Sequence, residues 1–149
     1  MPDRDVDILL IGGGIASATA AATLRAEGHE GSILVVGREL DPPYHRPPIS
    51  KGYLAGRETR EEALVHPPGW WKEQGVELLT RTSVLSLDPA VRSAKLSTKQ
   101  EVGYGQALVA TGAMVRRLSV DGAQLEGIHY LRALADRLEP RRETSPRSA

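Results

Sequence analysis

Cysteine is absent from the 149-residue sequence. Its absence excludes a disulfide framework, a CxxC redox pair, a cysteine nucleophile and any thiolate metal site. Any redox chemistry must therefore come from a bound cofactor. Phenylalanine is also absent and aromatic residues make up only 4% of the chain, so the hydrophobic core must consist mainly of Ala, Leu, Val and Ile.

An excess of either charge is absent too, because 19 Lys and Arg residues balance 19 Asp and Glu residues. This balance is unlike the net basic charge of proteins that bind nucleic acids or anionic membranes, so we expect small-molecule partners. The longest apolar run, Ile8–Ile11, is far shorter than the ~18 residues of a membrane-spanning helix, and the acidic start is unlike a signal peptide. We expect one soluble α/β domain in the cytoplasm.

The N-terminal part of the sequence predicts a β-α-β unit. Val6–Ile11 and Ser32–Gly37 are short apolar runs, typical of strands that are buried on both faces of a parallel sheet. The intervening segment, Ile15–Glu27, is rich in helix formers, and its six alanines would let a helix lie close to the sheet. The connection between the two parallel strands is expected to be right-handed.

The rest of the chain predicts shorter elements. Pro42–Pro48 cannot form a regular helix or a central strand, because proline lacks an N–H group. Short helices are predicted at Ile49–Ala55 and at Pro67–Gln74, with Trp70 and Trp71 packing the second one on the sheet. Short strands are predicted at Val76–Leu79, Ser83–Asp88, Ala94–Thr98 and Ala107–Ala110. We expect a domain over residues 1–138 and a disordered tail over residues 139–149.

A glycine-rich segment joins the first strand to the first helix. Gly12-Gly13-Gly14-Ile15-Ala16-Ser17 matches the dinucleotide fingerprint G-x-G-x-x-G/A except for the final serine. In this motif Gly12 makes the tight turn, Gly14 lets a pyrophosphate approach the backbone, and residue 17 must be small. The N–H groups of the following helix would bind the phosphates.

An acidic residue follows the second strand at the distance expected of a ribose ligand. Glu39 comes about 20 residues after the fingerprint, where an acid binds the ribose hydroxyls. The alternative is that the neighbouring Arg38 binds a 2′-phosphate, as it would if the ligand were NADP. The four histidines have no metal-ligand spacing and no partnered acid, so we predict no metal site.

Three further segments resemble one family. Tyr44–Leu54 (YHRPPISKGYL) resembles its Y-x-R-P-P-L-S-K-x-Y-L segment, Leu108–Ala113 resembles L-x-x-A-T-G-A, and His129–Arg132 contains Y-L-R. With the fingerprint, these segments resemble the FAD-dependent ferredoxin reductases that serve multicomponent oxygenases, which are similar to the pyridine nucleotide-disulfide oxidoreductases. The resemblance covers roughly residues 5–138 in the same order.

The resemblance implies a Rossmann-like FAD-binding domain: a parallel sheet with a small β-meander insertion, here incomplete. It implies that the following eleven residues bind the cofactor: Gly12, Gly14, Ala16 and Ser17 at the pyrophosphate turn, Glu39 at the adenosine ribose, Val84 at the adenine, and Arg46, Lys51, Thr111, Gly112 and Arg132 elsewhere along the FAD. Among these, Lys51 would lie near the isoalloxazine ring, where a cation stabilises the reduced anionic flavin.

The resemblance also implies an activity for the complete enzyme. Electrons would pass from NAD(P)H through FAD to a small iron–sulfur protein, a ferredoxin or rubredoxin-like acceptor. The sequence contains one dinucleotide fingerprint, so the second site for NAD(P)H is missing and we expect this chain to be inactive alone. Two alternatives are a stand-alone nucleotide-binding module, or inactive remnant, and a one-domain NAD(P) dehydrogenase, which the proline-rich segment opposes.

Overall fold

The structure is a computed structural model and describes residues 2–136. Its regular elements, in chain order, are β1 (Arg4–Ile11), α1 (Ile15–Ala26), β2 (Ile33–Val36), a 3₁₀ helix (Pro47–Ser50), α2 (Trp70–Glu73), β3 (Val76–Leu79), β4 (Val84–Asp88), β5 (Ser93–Leu96), β6 (Glu101–Val109) and a second 3₁₀ helix (Leu134–Asp136). The predicted disordered tail, 139–149, lies outside the described residues.

One sheet with the strand order β3-β2-β1-β6-β5-β4 organises residues 2–136. β1 pairs in parallel with β2 on one side and with β6 on the other, and β2 pairs in parallel with β3. β4, β5 and the start of β6 form an antiparallel meander. The predicted fold class, a parallel α/β sheet with a small meander, is therefore confirmed.

The two faces of the sheet carry separate hydrophobic clusters. On one face, Leu10 and Val35 pack with Ala18 and Ala21 of α1 and with Trp71 of α2. Both alanines are fully buried, so α1 lies close against the strands, as predicted. On the other face, residues of β1 and β2 pack against apolar side chains of the meander.

Three predicted elements differ from the structure by more than two residues at one end. α2 covers only Trp70–Glu73 of the predicted Pro67–Gln74, because residues 68 and 69 form a turn that ends in its N-cap, Gly69. The last strand runs from Glu101 to Val109, whereas only 107–110 was predicted, because Gly103 and Gly105 are more typical of turns. At Gly105 a Cβ would lie 2.8 Å from the carbonyl oxygen of Asp7 on β1, so glycine allows the two strands to approach. A helix was predicted over Ile49–Ala55, but the structure has the 3₁₀ helix Pro47–Ser50 instead. Proline occupies the first positions of this helix, where a backbone N–H has no partner within the helix and its absence costs nothing.

A third cluster joins the proline-rich loop to the last described segment. Tyr44, Ile49, Ala63 and Leu134 are buried together, away from the two sheet faces. The residues around Leu134 therefore pack against the loop that follows β2. Across residues 2–136, no helix has the length and apolar character needed to cross a membrane.

Candidate functional site

A cavity of about 450 Å³ lies at the carboxyl ends of β1, β2 and β6. The connections that follow neighbouring parallel strands diverge at this edge and open a crevice. Ligands of α/β proteins bind in such crevices. The cavity is lined by Ile11, Gly12, Gly13, Gly14, Ile15, Ala16, Val36, Arg38, Glu39, Arg46, Thr82, Ser83, Val84, Ala110, Thr111, Gly112 and Arg132.

The three glycines that follow β1 serve different purposes. Gly12 has a φ of +131°, and a Cβ there would overlap the carbonyl oxygen of Ala110 after β6. A Cβ on Gly13 would lie 3.0 Å from the Cα of Gly37 after β2. Gly14 differs, because a Cβ there would meet nothing within 4 Å. The first two glycines let the chain pass its neighbours, whereas Gly14 leaves open space at the cavity.

The N-terminus of α1 points a set of unused donors at this space. Gly14 is the N-cap residue and no side chain caps the helix, whose first turn also contains no acidic residue. The first intrahelical bond of this turn runs from the N–H of Ala18 to the carbonyl of Gly14. The N–H groups of residues 15–17 therefore remain for an anion, and the helix dipole favours negative charge at this end.

Glu39 lines the same cavity, and two residues of the proline-rich loop hold its carboxylate. Nη2 of Arg46 donates to Oε1 of Glu39 over 2.6 Å, and the hydroxyl of Tyr44 donates to Oε2. Arg46 also donates through Nη1 to the hydroxyl of Tyr44 and, over 2.8 Å, to the carbonyl oxygen of Arg132. The guanidinium lies over the ring of Tyr44, with Cζ 4.5 Å from the ring centroid.

These contacts keep Glu39 ionised although it is partly buried. Burial opposes the charged form, but the hydrogen bonds from Arg46 and Tyr44 outweigh it and hold the pKa of Glu39 below its usual value. Burial, together with the hydrogen bond to Glu39, raises the pKa of the Tyr44 phenol. The carboxylate is therefore an anion with fixed orientation, suited to accept hydrogen bonds from hydroxyl groups.

Nine of the eleven residues predicted to bind the cofactor line the cavity: Gly12, Gly14, Ala16, Glu39, Arg46, Val84, Thr111, Gly112 and Arg132. The other two lie elsewhere. The side chain of Ser17 is buried in α1, and its Oγ has no hydrogen-bond partner among residues 2–136. Lys51 ends the first 3₁₀ helix as an exposed side chain whose Nζ donates to Oγ of Ser50 over 3.3 Å.

Sequence reasoning missed several residues of this region. Thr82 and Ser83 line the cavity because the chain after β3 folds back, with the N–H of Thr82 donating to the carbonyl of Gly37 over 3.0 Å. In the sequence, these two residues could have been predicted at the site because they are polar and follow a short predicted strand. Tyr44 belongs to the segment that resembles the family motif, but no local pattern in the sequence indicates its contact with Glu39.

Metal ligands do not cluster in the described part of the chain, where no group of three His, Asp or Glu side chains could hold an ion. His66 instead stacks on Trp70 at 3.8 Å between ring centroids, and Trp71 meets both rings edge-on. Trp71 is buried in the cluster between α1 and the sheet, which confirms its predicted packing role.

Comparison with known proteins identifies related sequences. The model of the pyridine nucleotide-disulphide oxidoreductase family matches residues 6–149. A ferredoxin–NAD(P)(+) reductase from Sphingomonas sp. is 36% identical over 91% of this chain and 33% of its own length. A rubredoxin–NAD(+) reductase from Pseudomonas putida is 34% identical over 91% of this chain and 35% of its own length. The chain thus spans about a third of the length of these curated relatives.

Solved structures give the same result. The putidaredoxin reductase–putidaredoxin complex matches with a TM-score of 0.81 at 32% identity, over 91% of this chain and 33% of the matched one. A ferredoxin reductase from Rhodopseudomonas palustris matches with a TM-score of 0.80 at 32% identity, over 90% of this chain and 32% of its own. With the family model matching almost the whole sequence, this chain belongs to the pyridine nucleotide-disulphide oxidoreductase family.

Proposed function

We propose that this chain is the FAD-binding portion of an NAD(P)H-dependent flavin oxidoreductase of the ferredoxin reductase type. Members of its family are flavin-dependent and use NAD(P)H as substrate. The observation that carries the proposal is the combination, in one cavity, of an open glycine turn, an uncapped helix N-terminus and an ionised, oriented carboxylate. A dinucleotide presents a pyrophosphate and a ribose diol to such groups.

One part of the cavity is assigned to the ADP half of FAD. We assign the pyrophosphate to Gly12 and Gly14 and to the backbone N–H groups of Ala16 and Ser17. Glu39 accepts hydrogen bonds from the adenosine ribose. The adenine contacts the backbone at Val84, the first residue of β4.

The remaining residues are assigned to the flavin side. Thr111 and Gly112 follow β6 at the same edge of the sheet, and Arg46 and Arg132 supply positive charge to the cavity. Lys51 is assigned to the neighbourhood of the isoalloxazine ring. Bound FAD would take the two electrons of a hydride from NAD(P)H and release them to a one-electron acceptor, a ferredoxin or rubredoxin-like protein.

The central test is nucleotide binding by the purified chain. Calorimetric titration with ADP and with 2′-deoxy-ADP is compared between wild type, Glu39→Gln and the control Glu30→Gln, an exposed carboxylate before β2 at the far end of the sheet. Loss of a hydrogen bond to a charged group predicts that Glu39→Gln weakens ADP about tenfold or more. Removing the 2′-hydroxyl should weaken binding to wild type and to the control, but much less to Glu39→Gln. Equal ADP affinity for all three proteins would refute the assignment of Glu39.

The alternative, a stand-alone nucleotide-binding module, predicts the same ADP binding and is separated by electron transfer. We propose that the chain does not sustain NAD(P)H oxidation by itself, because the sequence carries one dinucleotide fingerprint, whereas hydride transfer needs the nicotinamide positioned against the flavin. The assay measures NADH oxidation by ferricyanide with FAD present. A steady rate well above that of free FAD would contradict this proposal.

A further inference from the structure

The hydroxyl of Tyr44 lies at the centre of the contacts beside the cavity. Tyr44 is 1% exposed, and its hydroxyl donates to Oε2 of Glu39. The same oxygen accepts from Nη1 of Arg46 and, over 3.2 Å, from the backbone N–H of Leu134. Tyr44 itself does not line the cavity, so it acts on a ligand only through these neighbours.

Glu39 depends on such support because it lies outside regular structure. It follows β2 in a loop, and its backbone carbonyl accepts one hydrogen bond, from the N–H of Arg81 over 2.9 Å. The carboxylate is oriented by Arg46 on one oxygen, and on the other by Tyr44 with a longer contact of 3.3 Å to Arg46. Removal of the phenolic oxygen would leave Oε2 with that longer contact alone.

Tyr44 can orient Glu39 because its own position is fixed. Its backbone pairs with Leu64 in an isolated antiparallel bridge, and its ring packs in the cluster with Ile49, Ala63 and Leu134. The ring also carries the guanidinium of Arg46 on its face. A single buried side chain thus contacts both partners of the Glu39–Arg46 ion pair.

We propose that Tyr44 is a positioning residue of the nucleotide site: its hydroxyl orients Glu39 toward the ribose and joins that carboxylate to the segment around Leu134. The proposal rests on the assignment of Glu39 to the ribose. Glu39 and the backbone N–H of Leu134 both contact the hydroxyl oxygen of Tyr44. By linkage, a nucleotide that fixes Glu39 therefore also stabilises the hydrogen bond from Leu134.

Removing the phenol should also change how ADP binding depends on pH. The charged and titratable groups facing Glu39 are Tyr44, Arg46 and Arg132. Burial works against the carboxylate, and the hydrogen bonds from Arg46 and Tyr44 favour it. Without the phenol, the pKa of Glu39 rises, so the loss of ADP affinity on acidification begins at a higher pH than in the wild type.

The test uses Tyr44→Phe, which removes one oxygen and keeps the ring. The control is Tyr53→Phe, since Tyr53 packs against the same cluster. ADP affinity is measured by calorimetry between about pH 4.5 and 8, where the titration of ADP itself affects all variants equally. We expect Tyr44→Phe to weaken ADP binding about five- to tenfold. The pH at which ADP affinity begins to fall on acidification should also be higher than in the wild type. We expect the control to match wild type, and Tyr44→Phe to add little in a Glu39→Gln background.

The outcomes separate this proposal from the proposed function. If wild type does not bind ADP, the proposed function fails and this proposal fails with it. If Glu39→Gln weakens ADP but Tyr44→Phe leaves both the affinity and the pH profile of wild type, only the positioning role is refuted. A measurement on wild type covers the case in which the variant does not fold: saturation with ADP should slow hydrogen exchange of the Leu134 amide, and unchanged exchange would overturn the proposal.

Discussion

Gly12 and Gly14 allow the needs of the fold to be separated from those of the ligand. Gly12 has a φ of +131°, and a Cβ there would overlap the backbone of Ala110. Gly14 has φ −111° and ψ −174°, an extended conformation that any residue adopts. Its Cβ would project into empty space. We therefore expect Gly12→Ala to damage the fold, and Gly14→Ala to damage mainly nucleotide binding.

The magnitudes follow from these local geometries. A non-glycine residue held in a rarely populated backbone region costs on the order of 1–3 kcal/mol, before the overlap with Ala110 is added. For a chain of this size, Gly12→Ala should lower the Tm by about 5 °C or more. At Gly14 the change replaces a glycine N-cap with alanine, at about 1 kcal/mol or less, so the Tm should fall by only ~3 °C. The added methyl lies where a pyrophosphate approaches, so ADP affinity should drop about tenfold or more.

Thermal unfolding followed by circular dichroism, together with calorimetric titration of ADP, tests both expectations. The matched control is Gly28→Ala, because Gly28 has a φ of +85° but its Cβ would meet nothing within 4 Å. This control carries backbone strain without an overlap, so it should lose about 1–3 kcal/mol of stability, less than Gly12→Ala, and keep its ADP affinity. Wild-type ADP binding by Gly14→Ala would refute the pyrophosphate assignment, and wild-type stability of Gly12→Ala would refute the steric reasoning.

Three further predictions concern single side chains. Ser17→Ala removes a buried hydroxyl without a described partner but keeps the backbone N–H group. The free energy of unfolding should therefore be unchanged or up to ~1 kcal/mol higher, and the ADP affinity should be unchanged. A clear loss of stability or of ADP affinity would contradict this expectation. Because the folded-state pKa of Glu39 is depressed, its stabilising contribution is complete above the ordinary value of 4.5 and declines as pH falls through the folded pKa; acid titration should show a smaller decline in Glu39→Gln. In a complete enzyme, Lys51→Ala should lower the flavin reduction potential, and an unaltered redox titration would remove Lys51 from the flavin.

The β-α-β unit and its glycine turn were predictable because their signals are local. Apolar runs bounded by glycine indicated β1 and β2 within two residues of their observed ends, and the helix between them begins at Ile15 as predicted. The position of Glu39 at the cavity also follows from the chain, because the carboxyl ends of neighbouring parallel strands lie at one edge of the sheet.

Other features depend on contacts between distant residues. The first half of β6 was missed because Gly103 and Gly105 do not resemble a strand, although the close approach of Gly105 to the backbone of β1 favours glycine there. The hydrogen bond between Tyr44 and Leu134 joins residues 90 positions apart. No periodicity or spacing encodes such a contact, so the support of Glu39 could be recognised only in the folded chain.

The central claim is that the ADP half of FAD binds at the glycine turn and Glu39. Titration of the ¹⁵N-labelled chain with ADP, followed by amide chemical shifts, tests this claim directly. We expect saturable shifts at Gly12–Ala16 and Glu39, while Glu30 at the opposite end of the sheet stays unchanged. Saturable shifts confined to other regions, or no shifts at millimolar ADP, would contradict it.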